Sequence, residues 1–400
     1  MVKTVCNNYR QLAPVLFGKG AINQTGDIAA QLGCKKAMVV TDEGINSLGF
    51  PAKIEASLKE KGIDCVVWAN AGGECPTPNL LEGAKVAREF GADCTIGIGG
   101  GSCMDAAKVI SVLANNDPDY VLPNFYKFLS FQEDYANPLL KTICIPTTAG
   151  TGSESTFVAV INNDATGTKV GLPSPPAYGI IDPELAVGSP ARMTAWCGLD
   201  AFAHAVESLC NTNDSHHSDL FAYEAIRLIT KWLPIACAHP KDYEAREQLA
   251  WAANMAGMSF SETNCNMGHA VAQAAGHLYH IPHGLACGSV CGGYMEYAAK
   301  DFPGIIRKIG VAMGLDCIDI SDAEIGVYVG RAHRRLMKQL NVINLTEFTG
   351  VKIEDALKDI VDEVMVEPLA TFYRAFTGEW DRAELEAVAT KMWTWQDLDD

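Results

Sequence analysis

The chain has 400 residues, 48% hydrophobic and 20% charged, enough for a large core and, at roughly 100–200 residues each, two or three domains. Its 31 basic residues against 48 acidic ones give a formal net charge of −17, a field that repels nucleic-acid phosphates and anionic lipid and argues against partners of either kind. No apolar run approaches the ~20 residues of a membrane-spanning helix, and Met1–Asn8 lacks the apolar segment of a secretory signal. The 14 cysteines lie scattered in apolar stretches with no C-x-x-C pair, which suits reduced, buried thiols in a cytoplasmic protein. Cys287 and Cys291 are the closest pair, and two thiols alone do not close a structural zinc site.

Short β-branched runs open the chain. Strands are predicted at Ala37–Thr41, Cys65–Trp68, Cys94–Ile98 and Thr142–Ile145, with helices at Pro78–Phe90 and Met104–Leu113. Strands alternating with helices of 10–15 residues imply a parallel sheet covered on both faces. After Asp182–Pro190 the pattern changes to Ala-, Leu- and Met-rich helices. These are predicted at Asp200–Leu209, Asp219–Leu233, Tyr243–Met258, Gly268–Leu278, Ile325–Leu340 and Ile353–Val364. The division is a nucleotide-type α/β domain over 1–187 and an all-α domain over 188–400, with a ligand cleft between them.

Two loops follow predicted strands on what would be one sheet edge. Gly99-Gly100-Gly101-Ser102 leads into a helix carrying Asp105 and Lys108, and it reads as a pyrophosphate cradle or as an ordinary tight turn. Pro146-Thr147-Thr148-Ala149-Gly150-Thr151-Gly152-Ser153-Glu154 reads as a second ligand loop or as a turn with an N-cap. Asp42, at the end of the first strand, is either an acceptor for ribose hydroxyls that disfavours a 2′-phosphate, or a helix cap. In Gly198-Leu199-Asp200-Ala201-Phe202-Ala203-His204 the acid and the imidazole are one helical turn apart. With His269 and His283 they form a mixed N/O set suited to Fe(II) or Zn(II).

Taken together, the glycine run, the Pro146–Glu154 loop, Gly198-Leu199-Asp200-Ala201-x-x-His204-Ala205-x-Glu207 and Pro282-His283-Gly284 resemble the iron-containing (group III) alcohol dehydrogenases, in order and spacing, from about Leu16-Phe17-Gly18 almost to the C-terminus. The resemblance implies a Rossmann-like N-terminal domain plus an all-α C-terminal domain, the architecture shared with dehydroquinate synthase. It also implies a cleft metal held by Asp200, His204, His269 and His283. Contacts to NAD(P) would come from Gly99, Gly100, Gly101, Ser102, Asp105, Thr147, Thr148, Thr151 and Lys169, with Asp42 favouring NAD. Val158 and Phe260 would line the substrate pocket, with Trp196, Cys197, Phe202 and Asn264 as further candidates. Many relatives have a second histidine four residues after the third ligand, often assigned to proton relay. Here that position is Gln273, which cannot titrate, and His277 is the substitute candidate, ahead of His280.

The resulting expectation is an NAD(H)- and metal-dependent dehydrogenase of a small alcohol, working as an aldehyde reductase. The alternatives are a lyase of the dehydroquinate synthase type and a glycerol-dehydrogenase-like zinc enzyme. A homodimer or larger homo-oligomer is implied by the resemblance alone.

Overall fold

The computed structural model describes residues 13–73, 75–163, 168–212 and 215–395. The Met1–Asn8 segment lies outside them. The strands are β1 (Val15–Phe17), β2 (Lys36–Val40), β3 (Asp64–Trp68), β4 (Cys94–Gly99), β5 (Lys141–Pro146), β6 (Val158–Asn163), β7 (Thr168–Pro173) and β8 (Tyr178–Ile181). Six of them form a parallel sheet in the order β1-β8-β5-β4-β2-β3, and β6 and β7 pair as an antiparallel hairpin. The first helices are α1 (Thr25–Gln31), α2 (Glu43–Ser47), α3 (Phe50–Glu60), α4 (Thr77–Phe90), α5 (Gly101–Leu113), α6 (Pro118–Val121) and α7 (Phe125–Leu129).

Alternation along β2 shows why the sheet is covered twice. Met38 and Val40 enter a core shared with α4 and α5, whereas Ala37 and Val39 enter a second core with α1 and α3. Strand order reverses between β2 and β4, so the crevice outside their carboxyl ends is the switch point at which open α/β sheets bind ligands. Asp42 and the start of α5 flank that crevice.

The second half is helical: α8 (Ala191–Leu209), α9 (His216–Ala238), α10 (Tyr243–Thr263), α11 (Met267–Tyr279), α12 (His283–Ala298), α13 (Pro303–Ala312), α14 (Ile325–Gln339), α15 (Leu345–Thr349), α16 (Ile353–Val366), α17 (Pro368–Thr377) and α18 (Arg382–Trp393). Its core includes Phe202, Tyr294 and Trp393, each at most 1% exposed. α10 joins this bundle to the β5–β6 loop. Gly257 there packs on Gly152, where a Cβ would lie 2.6 Å from the Gly257 Cα, and Gly152 itself sits at φ +61. Asn254 Nδ2 donates to Glu154 Oε1 at 3.0 Å, and Phe157 N donates to Ser261 Oγ at 3.2 Å. Phe17 of β1 stacks on Trp251 at 3.8 Å between centroids.

The structure extends several predicted elements. The four predicted strands shift by at most one residue at either end, but β1, β8 and the β6–β7 hairpin have no counterpart in the sequence reading. α8 starts nine residues before Asp200, at Ala191, because Pro190 ends an extended segment and the helix begins directly after it. α12 is absent from the predictions altogether. Its sequence, HGLACGSVCGGYMEYA, mixes glycines with apolar residues on every side, so no amphipathic period marks it.

Candidate active site and metal centre

α8 presents Asp200, His204 and Glu207 on one face, α11 contributes His269 from its first turn, and His283 opens α12 behind Pro282. One ligand atom from each of Asp200, His204, His269 and His283 lies within 4.8 Å of all the others. Asp200 Oδ1 is 3.4 Å from His283 Nε2, 3.8 Å from His269 Nε2 and 3.9 Å from His204 Nε2. Among the described residues this is the one such grouping of metal-type ligands.

The residues fit a divalent cation. Asp200 Oδ1 and His269 Nε2 are buried and have no hydrogen-bond partner, which costs about 1–3 kcal/mol per group unless something satisfies them. Burial above all holds His204 and His283 well below the usual imidazole range, so both keep a lone pair to donate. Burial pushes the Asp200 carboxyl up to about 6, a cost that a cation reverses. One carboxylate with three imidazoles matches Fe(II) or Zn(II).

Packing fixes the rings. Phe260 of α10 stacks on His204 at 4.1 Å and 15°, and His204 stacks on His269 at 4.6 Å. Glu207 accepts from His269 Nδ1 at 2.7 Å through Oε1, and from the backbone N–H groups of Asn266 (2.7 Å) and His269 (3.0 Å) through Oε2. That bond places the ring proton on Nδ1 and leaves Nε2 for the cluster. Gly268 is required here, since a Cβ would sit 2.5 Å from Glu207 Oε1. The sequence reading gave Glu207 no role, although its place three residues after His204 on one helical face was a usable signal.

The cluster opens on a cavity of about 200 Å³. Gly101, Ser102, Asp105, Thr151 and Lys169 line it, as do His204, His269 and His283, so the predicted nucleotide loops and the cluster share one space. Val158, Phe260, Asn264 and Gln273 also line it. Gly99, Gly100, Thr147 and Thr148 stand outside the lining. Thr147 N donates to Gly99 O at 2.9 Å, holding the two loops together. Asp105 braces the wall, accepting from Ser153 Oγ at 2.5 Å and from Val160 N at 3.1 Å. Lys108 is fully buried, and its Nζ donates to Thr156 O, Thr156 Oγ1 and Val158 O, which makes it a structural lysine.

Other candidates are placed differently. His277 lies outside the cavity lining and pairs through Nδ1 with Glu363 Oε1 at 2.7 Å. α11 runs unbroken through Gly276, so His277 is eight residues from His269, which at ~100° per residue turns it about 80° away. His280 follows that helix as its C-cap, also outside the lining. Phe202 is core, packed on His333, and Trp196 packs edge-on against Phe348, while Cys197 lines a separate, much smaller cavity. Asp42 caps α2, its Oδ1 accepting from Ile45 N at 2.8 Å and its Oδ2 from the Cys103 thiol at 3.2 Å. Cys287 and Cys291 are buried in α12, with the Cys287 sulfur 3.6 Å from His283 Nε2.

Two family models span the chain: "Iron-containing alcohol dehydrogenase" over residues 13–183 and "Fe-containing alcohol dehydrogenase family, C-terminal" over 194–379. The NAD-dependent methanol dehydrogenase of Bacillus methanolicus is 35% identical over 69% of this chain and 71% of its own length. The probable alcohol dehydrogenase EutG of Escherichia coli is 35% identical over 86% and 87% respectively. The solved alcohol dehydrogenase of Oenococcus oeni superposes with a TM-score of 0.88 at 28% identity, covering 96% of this chain and all of that one. These matches favour a dehydrogenase over the lyase alternative, and no helix among the described residues is long and apolar enough to cross a membrane. The chain belongs to the iron-containing alcohol dehydrogenase family, metal-dependent oxidoreductases that exchange hydride between alcohols and NAD(H).

Proposed function

We propose that the chain reduces small, neutral aldehydes with NADH and oxidises the corresponding alcohols in reverse, with 1–187 carrying the nucleotide and 188–400 the metal. The observation that carries this reading is the single cavity bordered by the start of α5, where backbone N–H groups suit a pyrophosphate, and by the four-residue cluster. Asp200, His204, His269 and His283 would hold a divalent iron, a Lewis acid for the carbonyl or alkoxide oxygen, beside a nicotinamide that carries the hydride.

The chain's own residues do the rest. Glu207 orients His269, and Phe260 holds His204 in plane. Leu129, Phe157, Val158, Leu369 and Phe372 surround the carbonyl carbon with apolar surface and exclude water. Among the described residues of the lining, Lys169 is the sole lysine or arginine, which suits a neutral substrate. Gln273 carries no titrating proton and His277 stands outside the cavity, so neither relays one to the alkoxide. Asp42, at the crevice between β2 and β4, disfavours a 2′-phosphate. The protein acts in the cytoplasm as a homodimer or larger homo-oligomer.

The test is NADH oxidation, with NADPH in parallel, over a panel of short aldehydes and carboxylate-bearing analogues. Turnover of neutral aldehydes with an NADH preference supports the reading. A preference for the anionic analogues, or for NADPH, overturns the corresponding assignment.

A further inference from the structure

Cys34 and Cys94 meet at the amino ends of the parallel strands, on the edge of the sheet opposite the nucleotide crevice. Cys34 lies two residues before β2, and Cys94 opens β4. Backbone pairing brings the two segments together. Ala37 of β2 is in register with Cys94, and the Asp93 carboxylate accepts from Lys35 N at 3.0 and 2.9 Å and from Lys36 N at 3.1 Å. Cys34 N donates to Ala29 O at 2.9 Å, which ties this turn to α1. Both side chains belong to one core with Ile63 and Ile96, Cys34 at 2% and Cys94 at 0% exposed. Within it the Cys94 thiol donates to the Cys34 sulfur. Lys141 stands beside them, its Nζ donating to Leu32 O.

That bond makes the two sulfurs unequal. The donated S–H, with help from the Lys141 charge, holds the Cys34 thiol below the usual cysteine range against burial and the Asp93 carboxylate. The same bond pushes Cys94 up, and burial pushes up the other described thiols. Cys34 is therefore the nucleophile of the pair, and Cys94 is a resolving thiol already in contact with it. Sulfurs so placed are a short step from an S–S bond of about 2.05 Å. Gly33, Lys35 and Lys36 around Cys34 are exposed, so the pair lies just beneath the surface. A molecule little larger than water can reach it, and a bulky disulfide cannot.

We propose that Cys34 and Cys94 are a peroxide-oxidised dithiol that closes to a reversible disulfide between the α1–β2 turn and β4. The Cys34 sulfur attacks one peroxide oxygen, the O–O bond breaks, and the products are a Cys34 sulfenic acid and one water. The Cys94 sulfur then attacks the Cys34 sulfur, displacing the hydroxyl as a second water and forming the S–S bond. The two thiols are oxidised by loss of two hydrogens, and one hydrogen peroxide is reduced to two waters. A dithiol reductant reverses the change.

The test uses the full chain loaded with Zn(II), which brings no redox chemistry of its own. One equivalent of hydrogen peroxide is added, and the protein is then unfolded, alkylated and mapped by mass spectrometry. The expected product is two hydrogens lighter, carries a Cys34–Cys94 cross-linked peptide in most chains, and regains both thiols in dithiothreitol. Cys94→Ala should stop at a Cys34 sulfenic acid that dimedone traps, and Cys34→Ala should leave Cys94 reduced. Native protein in which Cys34 and Cys94 stay reduced while other cysteines react overturns the proposal, whether or not either variant folds. So does a Cys34→Ala protein whose Cys94 is oxidised as fast as before. Glutathione disulfide that modifies Cys34 in the folded protein as readily as peroxide overturns the choice of oxidant.

Discussion

Glu207→Gln tests how the metal centre is built. Glu207 Oε2 receives two backbone N–H groups and Oε1 receives His269 Nδ1, all within 3.0 Å. In the variant the amide oxygen must face the two backbone donors, which turns the NH₂ group toward Nδ1. A donor there requires Nδ1 to accept, so the neutral imidazole carries its proton on Nε2, the atom that faces Asp200. His269 then no longer offers a lone pair to the cluster. Losing a carboxylate partner of this type costs about 10- to 100-fold in metal affinity, or ~1.4–2.7 kcal/mol. The metal-free protein should also lose about 1.5–3 kcal/mol, the worth of one charge-assisted hydrogen bond. Competition between the protein and a chromophoric chelator for Co(II) measures the first quantity, and denaturant unfolding of metal-free protein the second. A folded Glu207→Gln protein with unchanged Co(II) affinity would refute the reasoning.

Three more predictions use other parts of the molecule. Gly268→Ala places a methyl 2.5 Å from Glu207 Oε1 and should weaken Co(II) binding by the same order as Glu207→Gln, although Gly268 contributes no ligand atom. His333 is fully buried with neither ring nitrogen bonded; burial, and then the Arg334 charge, push it down to about 3. The unfolded chain takes that proton near 6.5, so stability is lost as pH falls below 6.5, by about 2 kcal/mol at pH 5. His333→Phe should remove that part of the acid slope in denaturant midpoints, and an unaltered slope would contradict it. Asp42→Asn keeps an acceptor for Ile45 N and removes the charge. The NADPH/NADH ratio of kcat/KM should rise about tenfold, the effect of ~1.4 kcal/mol of relieved repulsion.

The strands of the sheet centre were legible because β2, β4 and β5 carry short, largely apolar runs, with β4 ending at Gly99 and β5 at Pro146. β1 and β8 are three and four residues long, too short for periodicity to register. The hairpin is held by pairing with itself and by packing on α5 and α7, which only tertiary structure supplies. Within the site, the helical spacing of Asp200 and His204 was readable, but His269 and His283 arrive from separate helices. Their grouping with Asp200 was suggested by ligand chemistry, one carboxylate with three imidazoles, and the family resemblance assigned all four as ligands. Glu207 and Gln273 sit one turn from ligands and were visible as neighbours, but what each bonds is a tertiary fact. α11 continues through Gly276, the condition for His277 to share a face with Gln273, yet His277 lies outside the cavity lining, about 80° around the helix from His269.

The most direct test of the account loads the purified protein anaerobically with Fe(II), counts bound metal per chain, and follows NADH oxidation by a short aldehyde before and after chelation, with His283→Ala in parallel. The account predicts one metal per chain, turnover that is lost on chelation and restored by Fe(II), and a variant that holds little metal and turns over little aldehyde. Chelator-insensitive turnover, or a His283→Ala protein that binds metal and works as well as the native chain, would contradict it.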